Sequence, residues 1–214
     1  MLDLVDAGTL SRGQAAWLLA RIGEGSSWLV GARPGGAGKT TIMGALLAML
    51  PEATVIHLAA SGSGWRRARG GECVVAYEIG PGDYEAYVWG DDLGELAALG
   101  ERGCRIVSNL HADTLEEARD QLVRQNGVPP SAFDRFRLFL PIRLTGSRSR
   151  TVPTIPVIWR QVDAGWERVA EPRIGPSETG ILAWLDEALD GEPRDIESVR
   201  ASWLRWSERL GPRA

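Results

Sequence analysis

The stretch GARPGGAGKTT, Gly31–Thr41, decides how this chain is read. It ends as the pattern GxxxxGK[ST] ends, with Gly38, Lys39 and Thr40 in the last three places. Where that pattern has its first glycine, this chain has Arg33. A phosphate-binding loop works because successive backbone N–H groups converge on an anion at the positive end of a helix. The lysine adds a mobile charge for the terminal phosphates, and the following hydroxyl ligates Mg²⁺. Lys39 and Thr40 supply both, and Gly35, Gly36 and Gly38 keep obstructing Cβ atoms out of the loop. The candidate nucleotide-binding segment is therefore Arg33, Pro34, Gly35, Gly36, Ala37, Gly38, Lys39, Thr40 and Thr41. If position 33 needs positive φ, arginine costs on the order of 1 kcal/mol there. Alternatively, Gly31 takes over the turn in a longer loop.

The flanks supply the context this motif requires. SSWLVGA is a short apolar run leading into the loop, and TTIMGALLAML reads as a helix stopped by Pro51. Upstream, Ser11 and Gln14 form a capping box for a helix over about residues 12–23, with Ala15, Leu18, Leu19 and Ile22 on one face. Downstream, ATVIHLAA at 53–60 reads as a strand returning parallel through the helix. The expected fold is α/β, with a mainly parallel sheet flanked by helices.

Further along, SGSGWRRARGGE, residues 61–72, is a turn-rich basic loop. Its Arg66, Arg67 and Arg69 are either solvated charge or a reach toward phosphate, in this molecule or across a subunit boundary. CVVAYEI and YEAYVWG, separated by GPGD, suggest two strands joined by a tight turn. A helix over 93–101, the strand CRIVSNL, and a helix capped by Thr114 and Glu117 and stopped by Asn126 and Gly127 follow. Late strands fall at 137–144 and 154–160, with TGSRSR as a basic turn between them. From Pro176 two helices follow, and Ile196, Val199, Trp203, Trp206 and Leu210 share one face of the second. That stripe is a core face or, otherwise, a docking face. The expected division is a nucleotide-binding domain over 1–172 and a helical extension over 173–214.

Composition narrows the function classes. The 214 residues suffice for one ordinary domain with extensions, and 44% hydrophobic with 24% charged residues are globular values. A net charge of -4 gives no general reason to bind nucleic acid or an anionic membrane. Cys73 and Cys104 lack CxxC spacing and read as reduced, buried thiols. No run approaches a membrane span, and the acidic N-terminus does not resemble a secretory signal. A soluble cytoplasmic protein is expected.

Two separated blocks carry a resemblance. LVDAGTLSRGQAAWLLARIGEGSSWLVGARPGGAGKTTIMGALLAMLP resembles the nucleotide-binding domain of the secretion-system ATPase superfamily, the motors of type II and type IV secretion, type IV pili and the archaeal flagellum. SNLHADTLEEARDQL resembles that family's histidine box, in the same order along the chain. The resemblance covers roughly residues 4–170 and implies a RecA-like P-loop NTPase domain. It implies that Gly36, Gly38, Lys39, Thr40 and Thr41 hold ATP phosphates and Mg²⁺. It also implies that His111 lies near the terminal phosphate, where it can sense the γ-phosphate and relay its loss to the following helix. The family's Walker B acid is expected at Asp91, with Asp92 beside it; Asp91 would position Mg²⁺ or water. A competing alignment makes Glu78 that acid.

The chain also departs from the family. The acidic box, expected on the strand after the phosphate-loop helix, reads TVIHLAAS with no carboxylate and His57 nearby. The family's large N-terminal domain is not represented, although these motors act as ring hexamers. The expectation is an ATPase of weak or partner-dependent turnover, binding ATP or ADP, and associating with a protein partner or with itself, a hexamer included. The rival is a non-hydrolysing nucleotide-dependent interaction module acting through its C-terminal helices. A small-molecule phosphotransferase ranks third, since no acceptor site is readable.

Overall fold

Trp28–Gly31 (β1) is buried along its whole length, with no polar alternation, because both faces of the strand are covered. The structure, a computed structural model, describes residues 1–147 and 150–209. Helices α1 (Leu2–Asp6) and α2 (Arg12–Gly23) precede β1. The capping box expected at α2 forms: Gln14 N–H donates to Ser11 Oγ at 3.1 Å and Ser11 N–H to Gln14 Oε1 at 2.9 Å.

After β1 come α3 (Lys39–Leu47), β2 (Ile56–Leu58), β3 (Cys73–Ile79), β4 (Tyr87–Val88), α4 (Asp91–Glu101) and β5 (Arg105–Leu110). Helix α5 (Leu115–Arg119) runs on through a π turn at Asp120–Arg124 and is followed by α6 (Pro130–Phe133). Then come β6 (Leu138–Pro141), β7 (Arg143–Ser147), β8 (Arg150–Thr154), β9 (Ile158–Val162) and β10 (Gly165–Val169). Helices α7 (Pro176–Asp190) and α8 (Ile196–Glu208) close the order.

The main sheet runs β10-β9-β6-β1-β5-β3-β2, with β4 extending the pairing of β3. Strands β6, β1, β5, β3 and β2 are parallel, and β9 and β10 add an antiparallel edge. The glycine-rich loop thus leaves from the middle of the sheet, between β5 and β6, where ligands of open α/β sheets bind. This is the parallel α/β arrangement expected from the loop, in the RecA-like form that the resemblance implies.

Each face of the sheet has its own core. Ile42, Met43 and Leu46 of α3 pack with Trp17, Leu18 and Ile22 of α2 against Val30, Cys73, Val75 and Val107. On the other face Leu93, Leu96 and Leu99 of α4 pack with Ala118, Leu122, Phe133 and Phe139. The opposite side of α2, Ala15, Ala16 and Leu19, is covered by Ile181, Trp184 and Leu185 of α7 and Val199 and Trp203 of α8. Small alanines there let α7 approach closely. Trp184 and Trp203 meet edge-on at 5.0 Å, and Trp203 Nε1 donates to the Met49 carbonyl at 2.8 Å. The tryptophan stripe is thus mainly a core face. Its Ile196 end is exposed, Trp206 is half-buried, and Leu210 lies outside the described residues.

Several expectations change. CVVAYEI and YEAYVWG do not form a hairpin: β4 pairs with β3 in parallel over Glu78↔Tyr87 and Ile79↔Val88. The intervening residues loop back through Ala86 at φ 59 rather than turning tightly. The run 137–144 is broken at Ile142, after which β7 pairs with β8 as a separate two-stranded ribbon. Residues 148 and 149 of the expected TGSRSR turn lie outside the described residues. Strand β2 is shorter than ATVIHLAA suggested and lies at the sheet edge. Cys73 and Cys104 are free and buried, and burial pushes the Cys73 thiol up to about 12.

Candidate functional site

The glycine-rich loop reaches α3 without a side-chain cap. Gly38 is the N-cap, in the left-handed region at φ 93, and Gly36 lies at φ 74. These are the positions where glycine is required for conformation. Gly31 does not take over the turn: it is the last residue of β1, paired with Leu110 and Pro141. Arg33 is not in the positive-φ region, so its side chain is unstrained there. Its N–H donates to Asp113 Oδ1 at 2.9 Å, and its guanidinium donates to Glu117 at 2.6 Å.

Three charged or titratable groups converge behind the loop. Lys39 Nζ donates to the Ala32 carbonyl at 3.2 Å and lies 3.4 Å from His111 Nδ1. Glu78 Oε1 stands 3.6 Å from Lys39 Nζ and 3.7 Å from His111 Nε2. Glu78 is 4% exposed, and its Oε1 has no hydrogen-bond partner. Burial pushes its carboxyl above the usual range, against the opposing pull of Lys39 and His111. Thr40 Oγ1 donates to the Tyr77 hydroxyl at 3.3 Å. Gly35–Thr41, Glu78, Tyr87 and His111 line one cavity of about 360 Å³.

The structure therefore brings together Lys39, Thr40, Thr41 and His111 from the expected set with Glu78, the acid of the competing alignment, and adds Tyr77. It does not bring Asp91 or Asp92 there. Both open α4, both are exposed, and neither lines the cavity. Their negative charge favours the positive end of that helix, and Asp92 pairs with Arg66. The acid against the loop is Glu78, at the end of the strand VVAYE. Arg66 also pairs with Glu95 and lies 4.4 Å over the Trp65 ring, so it is held on the α4 side rather than at the glycine-rich loop. His57 is bound to Glu72 at 2.8 Å, away from the cavity lining.

These residues fit a magnesium-bound nucleoside triphosphate. A Cβ built on Gly35 or Gly36 meets no atom within 4 Å, so the loop surface is open to an anion. The uncapped start of α3 and Lys39 supply donors and positive charge. Among the described residues no group of three His, Cys, Asp or Glu side chains can hold a metal by itself. Among the described residues no helix is long and apolar enough to cross a membrane.

No family model and no curated protein matches the chain. Among solved structures it is similar to the VirB11 ATPase from the Brucella suis type IV secretion system, solved in complex with sulphate. Identity there is 17% and the TM-score 0.48, over 74% of this chain and 54% of that one. It is also similar to the Legionella pneumophila ATPase DotB, at 13% identity and TM-score 0.46, over 88% of this chain and 55% of that one. The chain spans about half the length of each.

Proposed function

We propose that this chain binds ATP with Mg²⁺ at the glycine-rich loop and hydrolyses it slowly. The observation that carries the proposal is the meeting of Lys39, Glu78 and His111 in the cavity that the loop lines. Backbone N–H groups from Gly36 to Thr41 would hold the phosphates, and the Lys39 ammonium would exchange the Ala32 carbonyl for a terminal phosphate oxygen. Thr40 and Glu78 would hold the cation. When bound, Mg²⁺ neutralises charge on the terminal phosphates, which is most of what phosphoryl transfer asks of a site. Glu78, buried beside Lys39 and His111, would serve as the cation's one carboxylate ligand. His111 Nδ1 lies 3.2 Å from the Arg33 carbonyl, and Nε2 faces Glu78, so the ring sits between the loop and the acid.

Slow turnover follows from the strand TVIHLAAS, which brings no carboxylate to the cavity. The non-hydrolysing module remains the second reading because the neighbour of the Thr40 hydroxyl is a phenol. The same proposal includes the secretion-motor resemblance, cytoplasmic placement, a self-association up to a hexamer or a protein partner, and no nucleic-acid contact. Residues 173–214 belong to it as a helical extension of the nucleotide-binding domain. ATP affinity and phosphate release measured on wild type and Lys39→Ala test it. Binding and release both lost in the variant support the enzyme, binding without release in wild type supports the module, and unchanged binding in Lys39→Ala refutes the site.

A further inference from the structure

In a regular strand successive side chains leave by opposite faces. Along β3, Cys73 and Val75 enter the core beneath α3, while Val74 and Ala76 enter the core beneath α4. Continued, that alternation sends Tyr77 to the α3 face, Glu78 to the α4 face and Ile79 back to the α3 face. Ile79 instead packs with Val74 and Ala76. The reason is one extra residue in β3 opposite β5: Ala76 pairs with Ser108 but Ile79 with Leu110. Such a bulge re-aims side chains. Here it brings Glu78 onto Lys39, on the side of the sheet where Tyr77 meets Thr40, so that two consecutive residues face the glycine-rich loop.

The bulge is held from both sides. Asn109 Nδ2 donates to the Tyr77 carbonyl at 2.9 Å, and Gln121 Nε2 donates to the Ile79 carbonyl at 3.0 Å. Tyr77 N–H donates to the Ala86 carbonyl at 2.8 Å, and the Tyr77 ring stacks on Tyr87 with centroids 6.2 Å apart. Tyr77 is therefore fixed at its backbone, while its exposed ring rests on Tyr87.

A threonine hydroxyl that ligates a cation does so through an oxygen lone pair, so its proton needs another acceptor. Phosphate-loop nucleotidases generally have an aspartate at the metal beside this hydroxyl; this chain has Tyr77. We propose that Tyr77 is a positioning residue, whose hydroxyl oxygen accepts the hydrogen bond from Thr40 Oγ1 and leaves the Thr40 lone pairs facing a divalent cation. The proposal rests on the reading of this site as one for MgATP. A neutral acceptor orients the hydroxyl without adding negative charge, so the cation is held mainly by the phosphates and Glu78.

Calorimetric titration with ATP, in Mg²⁺ and in EDTA, tests this through the factor by which Mg²⁺ tightens ATP binding. Tyr77→Phe keeps the ring and its stacking; it lowers that factor about fivefold, the worth of one ordinary hydrogen bond. Its affinity in EDTA is unchanged. Tyr77→Asp, which supplies charge as well as an acceptor, raises the factor above that of wild type. In a Thr40→Val background Tyr77→Phe has no further effect, which a merely structural role would not produce. If wild type binds ATP and Tyr77→Phe leaves the factor unchanged, the role of Tyr77 is overturned while the site stands. If folded wild type binds no ATP in either condition, both are overturned.

Discussion

Gly31, not position 33, is the residue at which a glycine is sterically indispensable at the start of the loop. A Cβ built on Gly31 would lie 2.4 Å from the Ala112 carbonyl oxygen and 2.5 Å and 2.7 Å from two ring atoms of Phe139. Neither neighbour can withdraw easily. Ala112 is fully buried beside His111, and the fully buried Phe139 ring belongs to the core beneath α4. Overpacking of this kind costs about 1–3 kcal/mol, and more when backbone is involved. With backbone and a locked ring both inside contact distance, Gly31→Ala should cost about 3 kcal/mol or more, lowering the Tm by roughly 6–12 °C in a chain of this size. Arg33→Gly restores the consensus glycine yet removes only the exposed Glu117 ion pair and adds backbone freedom, together about 1 kcal/mol. Urea unfolding of both variants, compared by midpoint at constant m-value, separates the two positions. Gly31→Ala within about 1 kcal/mol of wild type, or Arg33→Gly equally damaging, refutes the argument.

Two further outcomes are expected. Burial raises the Glu78 pKa above its ordinary 4.5, so the folded state binds the proton more tightly than the unfolded chain does. Wild-type stability should then fall as pH rises through and above that value, until the folded-state carboxyl has ionised. Glu78→Gln should remove this dependence, matching wild type in acid and exceeding it in alkali while losing phosphate release; urea midpoints across the pH range that show Glu78→Gln weaker in alkali would contradict the sign. Trp203→Ala empties a large buried site and strands the Met49 carbonyl, costing about 3–5 kcal/mol. Because that cluster includes Ala15, Ala16 and Leu19 of α2, calorimetry should show one transition at lower temperature; an early separate transition of the tail would instead make residues 173–214 an independent unit.

The features legible in the sequence are those fixed within a few residues. Ser11 with Gln14 and Thr114 with Glu117 announce helix starts because the cap bonds span one turn. The Gly38-Lys39-Thr40 element announces α3 through a local pattern too, a left-handed glycine directly before the first turn. The choice between Asp91 and Glu78 is of another kind. It depends on which face of the sheet a strand residue occupies, and the bulge between Ala76 and Ile79 changes that parity through pairing with β5, some thirty residues away in the chain. The parallel pairing of β4 is equally non-local, because the run CVVAYEI-GPGD-YEAYVWG carries the same strand and turn residues whichever way the chain returns. One clue to Glu78 was present in the sequence: an acid near the end of an otherwise apolar strand must be satisfied or used, and the structure buries it beside Lys39 and His111.

Arg33 shows how a departure from a local pattern can be resolved by a distant contact. With glycine needed for conformation only at Gly36 and Gly38, position 33 is free to carry a side chain, and arginine there adds something glycine cannot. Its N–H and guanidinium bind Asp113 and Glu117, which sit on either side of the Thr114 cap, while Glu117 also accepts from Asp113 N–H at 2.8 Å. The start of the phosphate loop is thereby fastened to the first turn of α5, the helix that follows His111. His111 closes the same circuit from the other side, against the Arg33 carbonyl, Lys39 and Glu78. Loop, histidine and helix therefore form one bonded unit, in which a change in the partners of Lys39 alters the surroundings of His111 directly, and in which Arg33 belongs to the site as a fastening rather than as a defect in it.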